Sequence, residues 1–192
     1  VEMRVSRETA ARNRDNVVKT ASRQFREHGY DGIGIAGLMK AAGLTQGGFY
    51  KQFADKDAII TEATQQALDE NLVAWQSVVE GHQDDPLNAL RCWYLSREHV
   101  DRRDAGCAYA ALAAEAPRHG KDLQDAFCEA VEKSITLLTD TRAESAQSRC
   151  EAIRLITGMV GALVLSRAVG EGALSQEVLD CAILEPAPGR SK

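Results

Sequence analysis

Proline is scarce in this chain, at 4 of 192 residues, and aromatic side chains make up only 5% of it. Sheets favour aromatic and β-branched residues, so their scarcity beside abundant Ala, Leu, Glu and Gln predicts an all-α protein. No long hydrophobic run is present. The longest nearly uncharged apolar stretch, Leu155 to Leu165, falls short of the ~20 residues a membrane helix needs. No basic start followed by an apolar run marks a signal peptide, which predicts a cytoplasmic chain with no membrane partner. Cysteines that could pair are lacking too. Cys92, Cys107, Cys128, Cys150 and Cys181 are odd in number and never closer than 15 residues. No C-x-x-C occurs, and His28, His82, His99 and His119 do not fall at i,i+4 spacing on any helix. A disulfide framework and a zinc site are therefore not expected, nor any cofactor, and the thiols read as reduced. Nucleophile motifs, phosphate-binding glycine loops, HExxH and paired carboxylates are all missing, so the chain does not read as an enzyme. Glu115 and Glu129 read as solvated or pocket-edge residues.

What is present is a globular composition, 44% hydrophobic and 27% charged, of a size that fits one large domain or a small one joined to a medium one. The net charge of −5 hides a split. Residues 1–60 carry 10 Lys+Arg and 7 Asp+Glu, whereas residues 61–192 carry 13 and 21. A basic head on an acidic body suits a polyanionic partner, although a solvated helix face has the same signature.

Caps, glycines and the 3.6-residue period predict about nine helices and no strand. The first runs from Thr9 to His28 with Val17, Val18, Ala21 and Phe25 in one stripe, and Gly29 ends it. A short helix from Ile35 to Ala42 stops at Gly43. Thr45 is placed to N-cap a helix from Gln46 to Phe53, and Asp55 to cap a long one from Lys56 to Glu80. Pro86 opens the next, broken only at Asp104–Gly106. A short Cys107–Ala116 segment and a helix through Leu123, Phe127, Val131 and Leu138 follow. Thr141 and Glu144 form a capping box for a helix reaching Val169, and Ser175 caps the last one. The tail from Pro186 reads as disordered.

Residues 29–56 read GYDGIGIAGLMKAAGLTQGGFYKQFADK. Two short helices meeting at Gly43, with apolar Leu44 beside the turn, are the sequence form of a helix-turn-helix. Gly47 and Gly48 are poor helix formers, but a compact backbone there lets a phosphate or base edge come close. A first helix ending F-R-E-H-G-Y, followed by A-G-L-T-Q-G-G-F-Y-K-Q-F-A-D-K, closely resembles the TetR family of bacterial one-component regulators. Phe25, Gly29, Tyr30, Ala42, Gly43, Leu44, Thr45, Gly47, Phe49, Tyr50, Phe53 and Lys56 carry the match, which spans about residues 10–60.

The resemblance implies a three-helix DNA-binding head (1–55) and a helical ligand-binding and dimerisation body (56–185), which leaves the tail read above as disordered (186–192). It implies a homodimer built mainly from the last two helices, an operator in double-stranded DNA and a small-molecule effector, with repression as the family-level expectation. Carried over by position, the DNA contacts are Thr45, Gln46, Gly48, Tyr50, Lys51, Gln52 and Lys56. Gln46 suits adenine, Lys51 guanine or phosphate, and Tyr50, Thr45 and Lys56 suit phosphate. Where the family places Thr or Ser and a basic residue, this chain has Ile33, Gly34 and Ala36. The basic arm Arg4, Arg7, Arg12 and Arg14 is the candidate to supply those phosphate contacts.

The stretch Ile153 to Leu165 has Arg154 as its one charge. A helix apolar nearly all round is buried on two sides, one on its own core and one on a second subunit. Ile153, Gly158, Gly161, Leu163 and Leu165, with Val178 on the last helix, are therefore the expected dimer interface. Trp75, Trp93, Tyr94, Tyr109, Phe127 and Met159 are candidates to line an apolar or aromatic effector's pocket, and equally read as plain core. Cys107 joins them because a helix N-terminus lowers a thiol pKa. A redox- or electrophile-sensing regulator acting through Cys107 thus stays open beside a buried inert thiol. A helical ligand carrier without DNA is the other alternative, and it leaves A-G-L-T-Q-G-G-F-Y-K without a use.

Overall fold

The computed structural model describes residues 7–139 and 146–184, and among them every regular element is a helix. In order these are α1 (Arg7–His28), α2 (Ile35–Ala41), a 3-10 helix (Gln46–Lys51), α3 (Lys56–Gly81), α4 (Pro86–Tyr94) and α5 (Arg97–Asp101). There follow α6 (Ala108–Leu112), a second 3-10 helix (Ala116–Arg118), α7 (Lys121–Thr139), α8 (Ala146–Ala168) and α9 (Ala173–Ile183). Arg4, the capping box at Thr141 and Glu144, and the tail from Pro186 lie outside the described residues. No helix among the described residues is long and apolar enough to cross a membrane. None of them group three or more His, Cys, Asp or Glu side chains so as to hold a metal ion.

Two compact units result. One takes the chain up to Asn71 together with Asp104–Ala130, the other Leu72–Arg103 together with the chain from Val131. Compactness thus divides the chain elsewhere than at residue 55, and α3 and α7 each contribute to both units.

In the first unit the α1 stripe of Val17, Val18, Ala21 and Phe25 is buried, as its spacing predicts, in a core with Tyr30, Leu38, Met39, Phe49 and Phe53. Each fully buried side chain of this size contributes roughly 1.5–3 kcal/mol. Polar ties fix α1 beyond that. Asn16 Nδ2 donates to the Ala42 carbonyl at 2.8 Å. Arg14 forks onto Glu62 of α3, with Nη2 2.6 Å from Oε2, and its guanidinium lies over the Phe53 ring at 4.8 Å. Glu62 thereby holds the Arg14 pKa above its ordinary value.

Arg26 is buried, and its fork is nearly saturated. It donates to the Ser22 carbonyl and hydroxyl, to the Gly106 carbonyl at 3.2 Å and to Glu70 at 2.9 Å. A buried guanidinium is tolerable only when its donors are met in this way. The fully buried Tyr30 bonds Thr64 through its hydroxyl at 2.8 Å, and desolvation raises that hydroxyl's pKa. Its N–H donates to Glu115 Oε2 at 3.1 Å. Glu115 is therefore a structural acceptor rather than a solvated residue. It also needs a glycine beside it, since a Cβ at Gly29 would stand 2.8 Å from Glu115 Oε1.

In the second unit, Trp75 and Tyr94 meet edge-to-face at 5.7 Å, and His99 Nδ1 donates to the Tyr94 carbonyl at 2.6 Å. Desolvation lowers the His99 pKa, aided by the Arg167 and Arg102 charges, while the bond to Tyr94 opposes the shift. Arg167 on α8 donates to the Val100 and His99 carbonyls at 3.0 and 2.7 Å.

Several local readings are corrected. The helix opened by Pro86 stops at Tyr94 rather than near Asp104, because Ser96 caps a new turn by accepting from His99 N–H at 3.3 Å. The Cys107–Ala116 segment is α only over Ala108–Leu112. Ser175 is not a cap. Gly172 holds that position, and the Ser175 hydroxyl is buried 2.7 Å from that of Ser166.

Candidate nucleic-acid interface

The turn after α2 closes by a specific bonding pattern. Gly43 sits at φ +72°, its N–H bonds the Lys40 carbonyl at 3.0 Å, and Leu44 N–H bonds the Met39 carbonyl at 2.8 Å. These are the two bonds of a Schellman motif, which requires the left-handed residue that glycine adopts freely. The chain leaves α2 in a set direction, and the Gln46–Lys51 element follows at once.

That element is a 3-10 helix, not the α-helix to Phe53 that the sequence predicts. Gly48 N–H bonds the Thr45 carbonyl at 3.0 Å and Gln52 N–H the Phe49 carbonyl at 2.8 Å, both i to i+3. Two adjacent glycines propagate an α-helix poorly, and a short 3-10 turn is the tighter solution. Thr45 occupies the N-cap, but its hydroxyl makes no cap bond. It is exposed and open to an outside partner.

Phe49 and Phe53 are buried under the element, as expected of packing residues. Thr45, Gln46, Tyr50 and Lys51 are exposed, with Tyr50 at 67%. Its ring meets Phe49 edge-on at 5.3 Å, and its hydroxyl is open to an outside partner. Gly48, Gln52 and Lys56 are half-buried. The Gln52 Oε1 atom is buried without a hydrogen bond. Lys56 lies 3.7 Å from Asp31, so any phosphate must compete with that carboxylate. Asp55 caps α3 as predicted, accepting from Ala58 N–H at 2.8 Å.

The basic arm is only partly available. Arg7 and Arg12 are exposed, whereas half-buried Arg14 already pairs with Glu62 and lies over Phe53, so a phosphate must compete for it. Gly34 caps α2 without a side-chain bond. Lys40, in the last turn of α2, is an exposed cation that the sequence reading passed over. Spacing alone carried no signal for it, since its orientation depends on which face of α2 meets α1.

The candidate effector residues divide between the units. Trp75, Trp93, Tyr94 and Met159 lie in the second, and Cys107, Tyr109 and Phe127 in the first. Trp93 is exposed and stacks on His99 at 5.7 Å, whereas Tyr109 and Phe127 lie 6.3 Å apart. A cleft of about 560 Å³ in the second unit includes Leu87, Arg91, Leu155 and Met159 in its lining. Cys107 is 1% exposed at the N-cap of α6.

The outer face of α8 carries exposed Ile153, Val164 and Leu165, exposed Val169 follows just past its end, and α9 adds exposed Leu174 and half-buried Val178. Gly158 and Gly161 lie open, with nothing within 4 Å of where a Cβ would stand. Leu163 differs. At 0% exposed it faces its own core and is not available to a second subunit.

Residues 17–63 match the model of the family described as bacterial regulatory proteins, tetR family. Over 149 residues the chain is 23% identical to the HTH-type transcriptional repressor NemR of Escherichia coli K12, covering 76% of this chain and 75% of that protein. The crystal structure of the reduced form of E. coli NemR superposes with a TM-score of 0.75 at 20% identity, covering 90% of this chain and 94% of that one. A TetR-family regulator from Cytophaga hutchinsonii superposes at 0.77 with 19% identity, covering 94% and 95%. At these identities the superpositions speak for the fold.

Proposed function

From the match of residues 17–63 to the model of the TetR family of bacterial regulatory proteins we propose that the chain is a member of that family and a cytoplasmic, non-enzymatic repressor. It binds a palindromic operator as a homodimer and releases it on binding a small apolar or aromatic effector. The observation that carries this reading is the set of exposed Gln46, Tyr50 and Lys51 side chains on a short helix set by the Gly43 turn. Such an element suits a major groove, and two of them ~34–36 Å apart suit successive grooves on one face of a duplex. The sign of regulation leans on the name of the related repressor.

The proposed division is a head of residues 1–55 and a body of 56–185. The proposed DNA contacts are Thr45, Gln46, Gly48, Tyr50, Lys51, Gln52 and Lys56. Gln46 reads a base edge, and Lys56 grips phosphate by displacing Asp31. Selection of bound sites from random duplexes is expected to return an enriched palindrome. Gln46→Ala should then relax preference at one or two symmetric positions, at a cost of ~1–3 kcal/mol. Lys56→Ala should weaken all sequences alike and flatten the salt dependence. Uniform loss in both variants would contradict this placement.

Effector control is supported by the sharing of α3 between the two units, since a ligand on its later half acts on a helix that starts beside the Gln46–Lys51 element. Only an effector favouring a state that misplaces the heads lowers DNA affinity, and operator must then weaken effector binding by the same factor. The coupling should be ~1–3 kcal/mol, and equal effector affinity with and without operator duplex would count against it. The thiol-sensing alternative has less support. A thiol as buried as Cys107 is an inert packing group unless the chain opens around it.

A further inference from the structure

Residues 61–192 are the acidic part of the chain, with 13 Lys+Arg against 21 Asp+Glu. One place within them runs the other way. The cleft of about 560 Å³ lies wholly in the second unit, where α4, the end of α7, the earlier part of α8 and the end of α9 meet. Arg91 and Arg154 line it against a single carboxylate, Glu151. A guanidinium keeps its charge inside a protein, so the lining carries one net positive charge. The fold uses up neither arginine. Half-buried Arg91 donates through Nη1 to the Ile183 carbonyl at 3.3 Å, and its other donors have no hydrogen-bond partner among the described residues. The exposed Arg154 side chain has no hydrogen bond or ion pair among them.

Most of the remaining lining is aliphatic. Leu87, Leu138, Leu155, Met159 and Leu184 contribute to it, no aromatic residue does, and Leu184 is left 69% exposed. The volume lies in the range of ~300–1,000 Å³ that small-molecule sites take. An aromatic ligand would find no ring to stack on, and a cation would meet two like charges. A flexible alkyl chain with one anionic head suits both the wall and the charge. We propose that this cleft is a binding site for an aliphatic carboxylate of medium chain length. The chain covers the leucines and Met159, and the head pairs with Arg91 and Arg154. One net charge suits a monoanion, which a carboxylate is and a phosphate monoester at neutral pH is not. Of the effector candidates named above the site uses only Met159, and it does not depend on the DNA reading.

The test is calorimetry on the full chain, with decanoate kept below the concentration at which it forms micelles. Decanoate should bind at least about tenfold more tightly than decyltrimethylammonium, which carries the same alkyl chain with the opposite charge. Arg154→Gln, a change at an exposed position, should weaken decanoate by about tenfold, the loss expected of one charge-assisted bond, and leave the cation bound no more weakly. Cys181 lines the cleft and is exposed, so saturating decanoate should slow its alkylation by iodoacetamide. Exposed Cys128, in the first unit and outside the lining, should react at its former rate. Decanoate binding that is no tighter than the cation's, unchanged by Arg154→Gln, or without effect on Cys181 overturns the inference. So does a Cys181 that fails to react before any decanoate is added, since another occupant then covers the cleft. All readings are taken without DNA, so failure of the operator reading leaves this one standing.

Discussion

Raising the salt from about 50 to 200 mM is expected to weaken operator binding by ~10³–10⁵-fold, the loss that accompanies ~6–10 phosphate contacts. The charge distribution leads to this expectation. The chain is acidic overall, with 13 Lys+Arg against 21 Asp+Glu in residues 61–192, so attraction to a duplex must come from the head. Arg26 is committed inside the fold, where it pairs with Glu70, and the half-buried Arg14 is paired with Glu62. Arg7, Arg12, Lys19, Arg23, Lys40 and Lys51 are exposed. Two copies of this head supply enough cations for a site of the usual size, each neutralised phosphate releasing counterions into the solution. Titration by fluorescence anisotropy across that salt range measures the slope. A nearly flat slope, or binding seen only at low salt and indifferent to sequence, would argue against a specific operator complex.

The second large effect separates two residues that are neighbours in sequence. Gly161→Arg is expected to give a folded monomer, and Leu163→Arg a chain that does not fold. Gly161 lies on the outer face of α8, and a Cβ there meets nothing within 4 Å. The isolated subunit therefore accepts an arginine, which is also a better helix former than glycine. Placed against a second copy, that arginine is a buried unpaired charge costing several kcal/mol. Leu163 is fully buried in its own subunit, where the same penalty falls on a fold whose total stability is typically ~5–15 kcal/mol. Circular dichroism and light scattering distinguish the outcomes. The Gly161 variant should also lose operator affinity by ~10²–10⁴-fold, since each head would bind its half-site alone. An unchanged dimer mass for Gly161→Arg would move the interface off this face of α8.

Local signals determined much about this protein. The 3.6-residue stripe of Val17, Val18, Ala21 and Phe25 identifies α1 and its buried face. Gly43 followed by Leu44 marks the α2 turn, and Asp55 and Pro86 mark the starts of α3 and α4. Each is a property of a few adjacent residues, because backbone caps and helical periods are set within one or two turns. Gln46, Tyr50 and Lys51 are singled out by the family resemblance, and their exposure agrees with Tyr50 and Lys51 lying between buried Phe49 and Phe53. Only the tertiary structure decided which side chains remain free to act. Arg14 and Arg7 look alike in sequence, yet Glu62, 48 positions away, claims one of them. Glu115 looked solvated until the Tyr30 N–H reached it across 85 positions. On α8, an apolar composition all round conceals which residues face inward. Leu163 and Gly161 part company because they lie two residues apart, about 200° around a helix of 3.6 residues per turn, and packing against the rest of the chain chooses which of those directions is core.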